Sequence, residues 1–187
     1  IWVGVCFQYS VSEDEDSCFK YALPPEYNSH INTMHVSHAE ARGPCWARHK
    51  AQLLCNDEDY FLQIDSHMRF RPNWDSYLIS THSICCSLAE HGRAVLSSYP
   101  LGYTLPNEID HKETQGTVMR ATRFDEDGML RLSARPISAS TIMKENAALQ
   151  TPFWAAGFSF SDMEMARLVP YDPDLPYLFF GEEICMT

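Results

Sequence analysis

Asp65 and His67 stand two residues apart where the apolar run Tyr60-Phe61-Leu62-Gln63-Ile64 gives way to polar chain. On an extended backbone such residues point to the same side, so a carboxylate oxygen and an imidazole nitrogen can converge on one cation. An oxygen and a nitrogen donor suit Mn²⁺ or another divalent cation of borderline character, whose remaining positions diphosphate oxygens could fill. The plainer alternative is an aspartate capping the next turn with a histidine on the surface. Other groupings carry less chemistry. His30, His35 and His38 lack the acidic or cysteine pattern of a metal site. Ser97-Ser98 lacks the Gly-x-Ser-x-Gly elbow of a hydrolase. Asp172 and Asp174 flank Pro173 in a turn-like sequence, where aspartate is common for conformational reasons.

The elements that must hold the Asp65/His67 pair follow from hydrophobic spacing. Strands are expected over residues 1–7, 31–36, 60–64, 94–99 and 130–137. Helices are expected over 44–54, entered through Pro44, over 73–90, closed by His91-Gly92, and from a Ser161-Asp162 cap through Arg167. The run Glu13-Asp14-Glu15-Asp16 reads as solvated loop, and 102–128 as a polar excursion with a hairpin near Asp127-Gly128. Strand, helix, strand, helix, strand predicts an α/β fold with a mostly parallel central sheet flanked by helices. Ligands bind at the carboxyl ends of strands in such sheets, which singles out Asp65-Ser66-His67.

Bulk composition narrows the function classes. The 187 residues fit one domain or a small pair, and 45% hydrophobic with 21% charged residues is a globular composition. With 14 Lys and Arg against 25 Asp and Glu, a net charge of −11 disfavours nucleic acid as a partner. Seven cysteines with no C-x-x-C pair argue against a zinc ribbon or a closed disulfide framework and point to reduced thiols in a cytoplasmic setting. No stretch has the length and apolarity of a membrane segment. The chain starts and stops near apolar runs, so it is expected to be a fragment of a longer protein.

The order of its motifs carries more. Arg42-Gly43-Pro44-Cys45-Trp46-Ala47-Arg48, then Asp65-Ser66-His67-Met68-Arg69-Phe70 and Trp74-Asp75, are followed by Phe153-Trp154-Ala155-Ala156-Gly157-Phe158, Val169-Pro170-Tyr171-Asp172-Pro173 and Phe179-Phe180-Gly181-Glu182-Glu183. This series resembles the UDP-GlcNAc-dependent polypeptide glycosyltransferases that modify hydroxyproline on the cytosolic ubiquitin-ligase adaptor Skp1, and more distantly the mucin-type polypeptide N-acetylgalactosaminyltransferases. The resemblance implies a GT-A fold over 1–187, truncated at both ends, and retaining transfer of GlcNAc from UDP-GlcNAc to a protein hydroxyl. It implies Asp65 and His67 as Mn²⁺ ligands, and Arg42 and Arg48 as contacts to the donor. It also implies Ala155-Ala156-Gly157 as a small-residue shelf beneath the sugar, with Trp154 beside it, and Glu182 and Glu183 as the acidic pair at the anomeric carbon. Glu182 is preferred because it directly follows Gly181. A uracil-holding strand before Ile1 and a further histidine ligand after Thr187 belong to the family pattern and fall outside the sequence. The rival expectation is a non-catalytic domain of the same fold that binds protein or sugar. A location in the secretory pathway, as for the mucin-type enzymes, stays open.

Overall fold

Gly43 precedes the helix that starts at Pro44, and the computed structural model shows why no other residue would serve there: its φ is +90° and a Cβ at this position would lie 2.9 Å from the Cα of Tyr177. The structure describes residues 1–10, 24–100, 102–103, 116–138, 140–141 and 149–187. They form two compact units, one from Ile1–Glu58 with Pro170–Phe179, the other from Asp59–Val169 with Phe180–Thr187. The acidic run at 13–16 and residues 104–115 of the polar excursion lie outside the described residues.

In the first unit β1 (Val3–Tyr9) pairs in parallel with β2 (Ile31–Ser37) over the full strand length, Val3 opposite Ile31 and Tyr9 opposite Ser37. Histidines bracket the pair. His30 Nδ1 lies 3.3 Å from the carbonyl of Ile1 and His38 Nδ1 lies 3.2 Å from that of Tyr9, while His35 meets the rings of Phe7 and Tyr9 edge-on. These imidazoles serve the sheet ends and converge on no common point. Helix α1 (Pro44–Gln52) packs on β1 at Gly4, where a Cβ would come within 3.3 Å of the Ala51 carbonyl and of Leu54 Cβ. It also grips the returning segment: His49 Nδ1 lies 2.8 Å from the Tyr171 carbonyl, and the Tyr171 amide donates to Gln52 Oε1 at 3.2 Å. The Asp172-Pro173-Asp174 turn is closed by the Asp174 amide on Asp172 Oδ1 at 2.8 Å, the conformational role expected of those aspartates.

The second unit holds β3 (Tyr60–Ile64), α2 (Trp74–Leu88), β4 (Leu96–Ser97), β5 (Gly116–Phe124), β6 (Leu130–Ile137), β7 (Phe158–Asp162), α3 (Met163–Leu168) and α4 (Glu182–Met186). β7 is the middle strand of a three-stranded sheet and runs antiparallel to both β3 and β4. Ser159, Phe160 and Ser161 at its centre are all buried, and Tyr60 stacks against Phe160 at 5.4 Å; Leu78, Met163 and Ala166 are buried too. Asp162 caps α3 by accepting the Met165 amide at 2.7 Å, as its position before the apolar turn predicts. β5 and β6 make an antiparallel hairpin whose turn is closed by Asp125, which accepts the Met129 amide at 2.9 Å.

Two expectations need correction. The fold is α/β, but among the described residues only β1 and β2 pair in parallel and the other three pairings are antiparallel. Strand direction is fixed by the partner, and β7 joins β3 only after a long intervening chain, so local periodicity carries no record of it. The opening strand is also less enclosed than its apolar run suggests: Ile1, Trp2 and Val3 are exposed. None of the six described cysteines forms a disulfide, and among the described residues no helix is long and apolar enough to cross a membrane.

Candidate functional site

Asp65 is the rung after β3. Its amide donates to the Gly157 carbonyl at 3.0 Å, continuing the ladder one step beyond the Ile64–Phe158 pair. Its carboxylate then lies over Gly157, where a Cβ would stand 2.8 Å from Asp65 Oδ2 and 3.3 Å from Cγ. A larger residue here would push the Asp65 carboxylate from its place, since as it stands only a hydrogen fits between it and the backbone. The pairing thus brings the residues expected as metal ligand and sugar shelf into direct contact.

The shelf is pinned from several sides. Ala155 and Ala156 are buried. Gln63 Nε2 donates to the Ala156 carbonyl at 2.7 Å, and the Ala156 amide donates to Glu183 Oε1 at 3.3 Å. Ser97 Oγ accepts the Ala155 amide at 2.8 Å and lies 3.1 and 2.9 Å from the carbonyls of Ala155 and Phe158. Trp154 is held beside the shelf by its indole N–H, which donates to Ser159 Oγ at 2.8 Å.

Gly181, at φ +104°, turns the chain into α4 so that both glutamates fall in its first turn. Their surroundings differ. Glu182 is 2% exposed, whereas Glu183 is half-buried and reaches the Ala156 amide. Tyr99 completes the electrostatic picture: burial first, then the negative charges of Glu183 and Asp65, hold its phenol above the ordinary tyrosine value. Its hydroxyl therefore stays a proton donor at neutral pH beside two carboxylates. Tyr99 is anchored through its backbone, its amide donating to Thr117 Oγ1 at 3.1 Å.

Asp65 and His67 fit a divalent cation in donor type. The carboxylate is half-buried, aimed at a place cleared by Gly157, and His67 lies exposed just beyond the ladder. Among the described residues Asp65 and His67 belong to no group of three or more converging ligand-type side chains. The one trio of ligand-type side chains that does converge is His82, Cys86 and Asp162. His82 is 5% exposed and lies edge-on to Tyr60 and Phe160, with Nε2 3.0 Å from the Ala94 carbonyl. It is satisfied there as a core hydrogen-bonding residue tying α2 to the Ala94 segment.

Arg42 and Arg48 belong to the first unit. Arg42 borders a cleft of about 580 Å³ that it shares with Trp46, Lys50 and Tyr177, the ammonium of Lys50 lying 5.4 Å from the Trp46 ring. Arg48 is half-buried on α1. Sequence reasoning did not find Gln63, Ser97 or Tyr99 as parts of the site. Gln63 offered a signal, being the only polar residue in an apolar strand; Ser97 and Tyr99 offered none, because their roles arise from proximity across the sheet. Residues 4–187 match the family model described as Glycosyltransferase (GlcNAc). No curated protein and no solved structure matches the chain.

Proposed function

The chain belongs to the GlcNAc glycosyltransferase family, and from that premise we propose that it moves N-acetylglucosamine from UDP-GlcNAc to a protein hydroxyl, with hydroxyproline of a Skp1-like protein as the acceptor. A GT-A fold with retention at the anomeric carbon belongs to the same reading. The observation that carries it is the Asp65 carboxylate set against the side-chain-free face of Gly157, with Glu183 on the neighbouring Ala156 amide.

In this mechanism Asp65 and His67 would hold a divalent cation, whose chemistry would be to offset negative charge on the leaving diphosphate. Asp65 can do so without reorganising, because its backbone is locked into the β3–β7 ladder. Ala155, Ala156 and Gly157 are the small residues expected of a sugar shelf, and Trp154 is held beside them by its bond to Ser159. Glu183 has a carboxylate oxygen near the shelf and is the better placed of the acidic pair to bond sugar hydroxyls or face positive charge at the anomeric carbon. Glu182, being buried, supports the start of α4. For Arg42 and Arg48 the donor role rests on the family resemblance alone.

Calorimetric titration of UDP-GlcNAc into the chain with Mn²⁺, and again with EDTA, tests the reading. Metal-dependent binding that disappears in Asp65→Ala is expected. Binding that survives both EDTA and the substitution would remove Asp65 from the metal and the metal from the mechanism.

A further inference from the structure

Four arginines collect on one face of the β5–β6 hairpin. Residues directly opposite in an antiparallel pair share a face, and the register sets Arg135 opposite Val118, Ser133 opposite Arg120 and Arg131 opposite Arg123. The other face carries Met119, Ala121, Leu132 and Ala134, with Met119 only 4% exposed. Arg123 reaches the arginine face because of a bulge. Ala121 pairs with Leu132 and the next pair is Arg123 with Arg131, leaving Thr122 as the extra residue. Without that residue the alternation would send Arg123 to the Met119 side. The bulge is fastened by Thr122 Oγ1, which donates to the Arg131 carbonyl at 2.8 Å.

The charge is unusual for this chain. The two strands carry four of its 14 basic residues and no Asp or Glu, in a protein of net charge −11. Arg131 is engaged, ion-paired with Asp125 and stacked 3.7 Å over Phe180. Arg120, Arg123 and Arg135 are exposed. Arg123 lies directly opposite Arg131, whose own charge is met by Asp125, so the guanidinium groups left to face a ligand are those of Arg120, Arg123 and Arg135.

We propose that this face binds an acidic segment of the acceptor polypeptide, an inference that rests on the acceptor being a protein. Planar guanidinium groups projecting from a rigid ladder suit bidentate recognition of carboxylates. A short peptide can lie within the hairpin, whereas a long polyphosphate would run on over a strongly acidic protein and be repelled.

The probe is a short fluorescein-labelled oligoglutamate peptide, titrated with the full chain and followed by anisotropy at rising NaCl. Saturable, salt-sensitive binding is expected, weakened about tenfold or more by Arg120→Ser, Arg123→Ser and Arg135→Ser together. Arg123→Ser alone, a single exposed change, should give about a two- to threefold loss. Absent binding, or equal binding by wild type and both variants, overturns the proposal. So does a single-stranded oligonucleotide that binds as well and loses affinity in the same variants. Mn²⁺-dependent binding of UDP-GlcNAc reports separately on the donor site: its absence in wild type would sink the transferase reading, while the peptide titration would still decide the fate of the arginine face.

Discussion

Gly43 and Gly157 each stand where a Cβ has no room, and the difference between them separates a folding requirement from a chemical one. At Gly43 the obstacle is backbone: the Cα and amide of Tyr177 lie 2.9 and 3.1 Å from the position a Cβ would take, and φ is +90°. The Tyr177 amide also donates to the Arg42 carbonyl at 2.6 Å, so the two chains cannot separate without losing that bond. At Gly157 the obstacle is the end of a side chain, Asp65 Oδ2 at 2.8 Å, with ordinary backbone torsions. A carboxylate can rotate away and a backbone cannot. One glycine therefore guards the entry to a helix, and the other guards the placement of a functional group.

The contrast breaks most clearly at Gly43. Gly43→Ala should lower stability by about 2–3 kcal/mol, because alanine meets both a forbidden torsion and an immovable neighbour; urea unfolding would show it, and an unchanged midpoint would refute the packing. Gly157→Ala should leave the unfolding midpoint nearly unchanged while weakening Mn²⁺-dependent UDP-GlcNAc binding by about tenfold, since the displaced group is the carboxylate itself. If stability fell as much as at Gly43, the distinction would be lost. Glu183→Gln should reduce turnover more than donor affinity, by about tenfold, if its charge acts in the transition state. Ser97→Ala should cost about 1–2 kcal/mol by releasing the Ala155 amide and two carbonyls, with donor binding reduced in proportion.

The smallest effect is one of pH. The folded protein holds the Tyr99 proton more tightly than the unfolded chain does, so from about pH 10, the ordinary tyrosine value, up to the raised folded value, the folded state binds more protons and stability falls as pH rises. Below pH 10 the group contributes no pH dependence. Ultraviolet titration should show one late-ionising tyrosine that is absent from Tyr99→Phe and that titrates earlier in Asp65→Asn.

The sequence was most legible where a local pattern decides the outcome. β3 at Tyr60–Ile64 and β6 at Leu130–Ile137 begin and end as their apolar spacing predicts, and α1 and α2 end within two residues of the expected positions. The strand expected over 94–99 shrinks to Leu96–Ser97 because β7 meets it over two residues only. Partner and direction decide such cases, and neither is written into a strand's own alternation. The same division runs through the site. Asp65, Gly157 and the pair Glu182 and Glu183, with Glu182 preferred, were named from their motifs; the structure buries Glu182 and sets Glu183 on the Ala156 amide. The contacts of the site with Gln63, Ser97 and Tyr99 depend on the antiparallel arrival of β7, which the motifs do not encode.

Ser97 has one hydroxyl proton and two carbonyls within reach, at Ala155 and Phe158, while its oxygen lone pair holds the Ala155 amide. That amide is tied to a side chain rather than to the regular ladder, so its exchange with deuterium reports the opening of this loop and little else. A single slow amide can thus serve as a clock for the shelf, read in the absence of any sugar nucleotide, and its slowing when one is added would time how the loop closes.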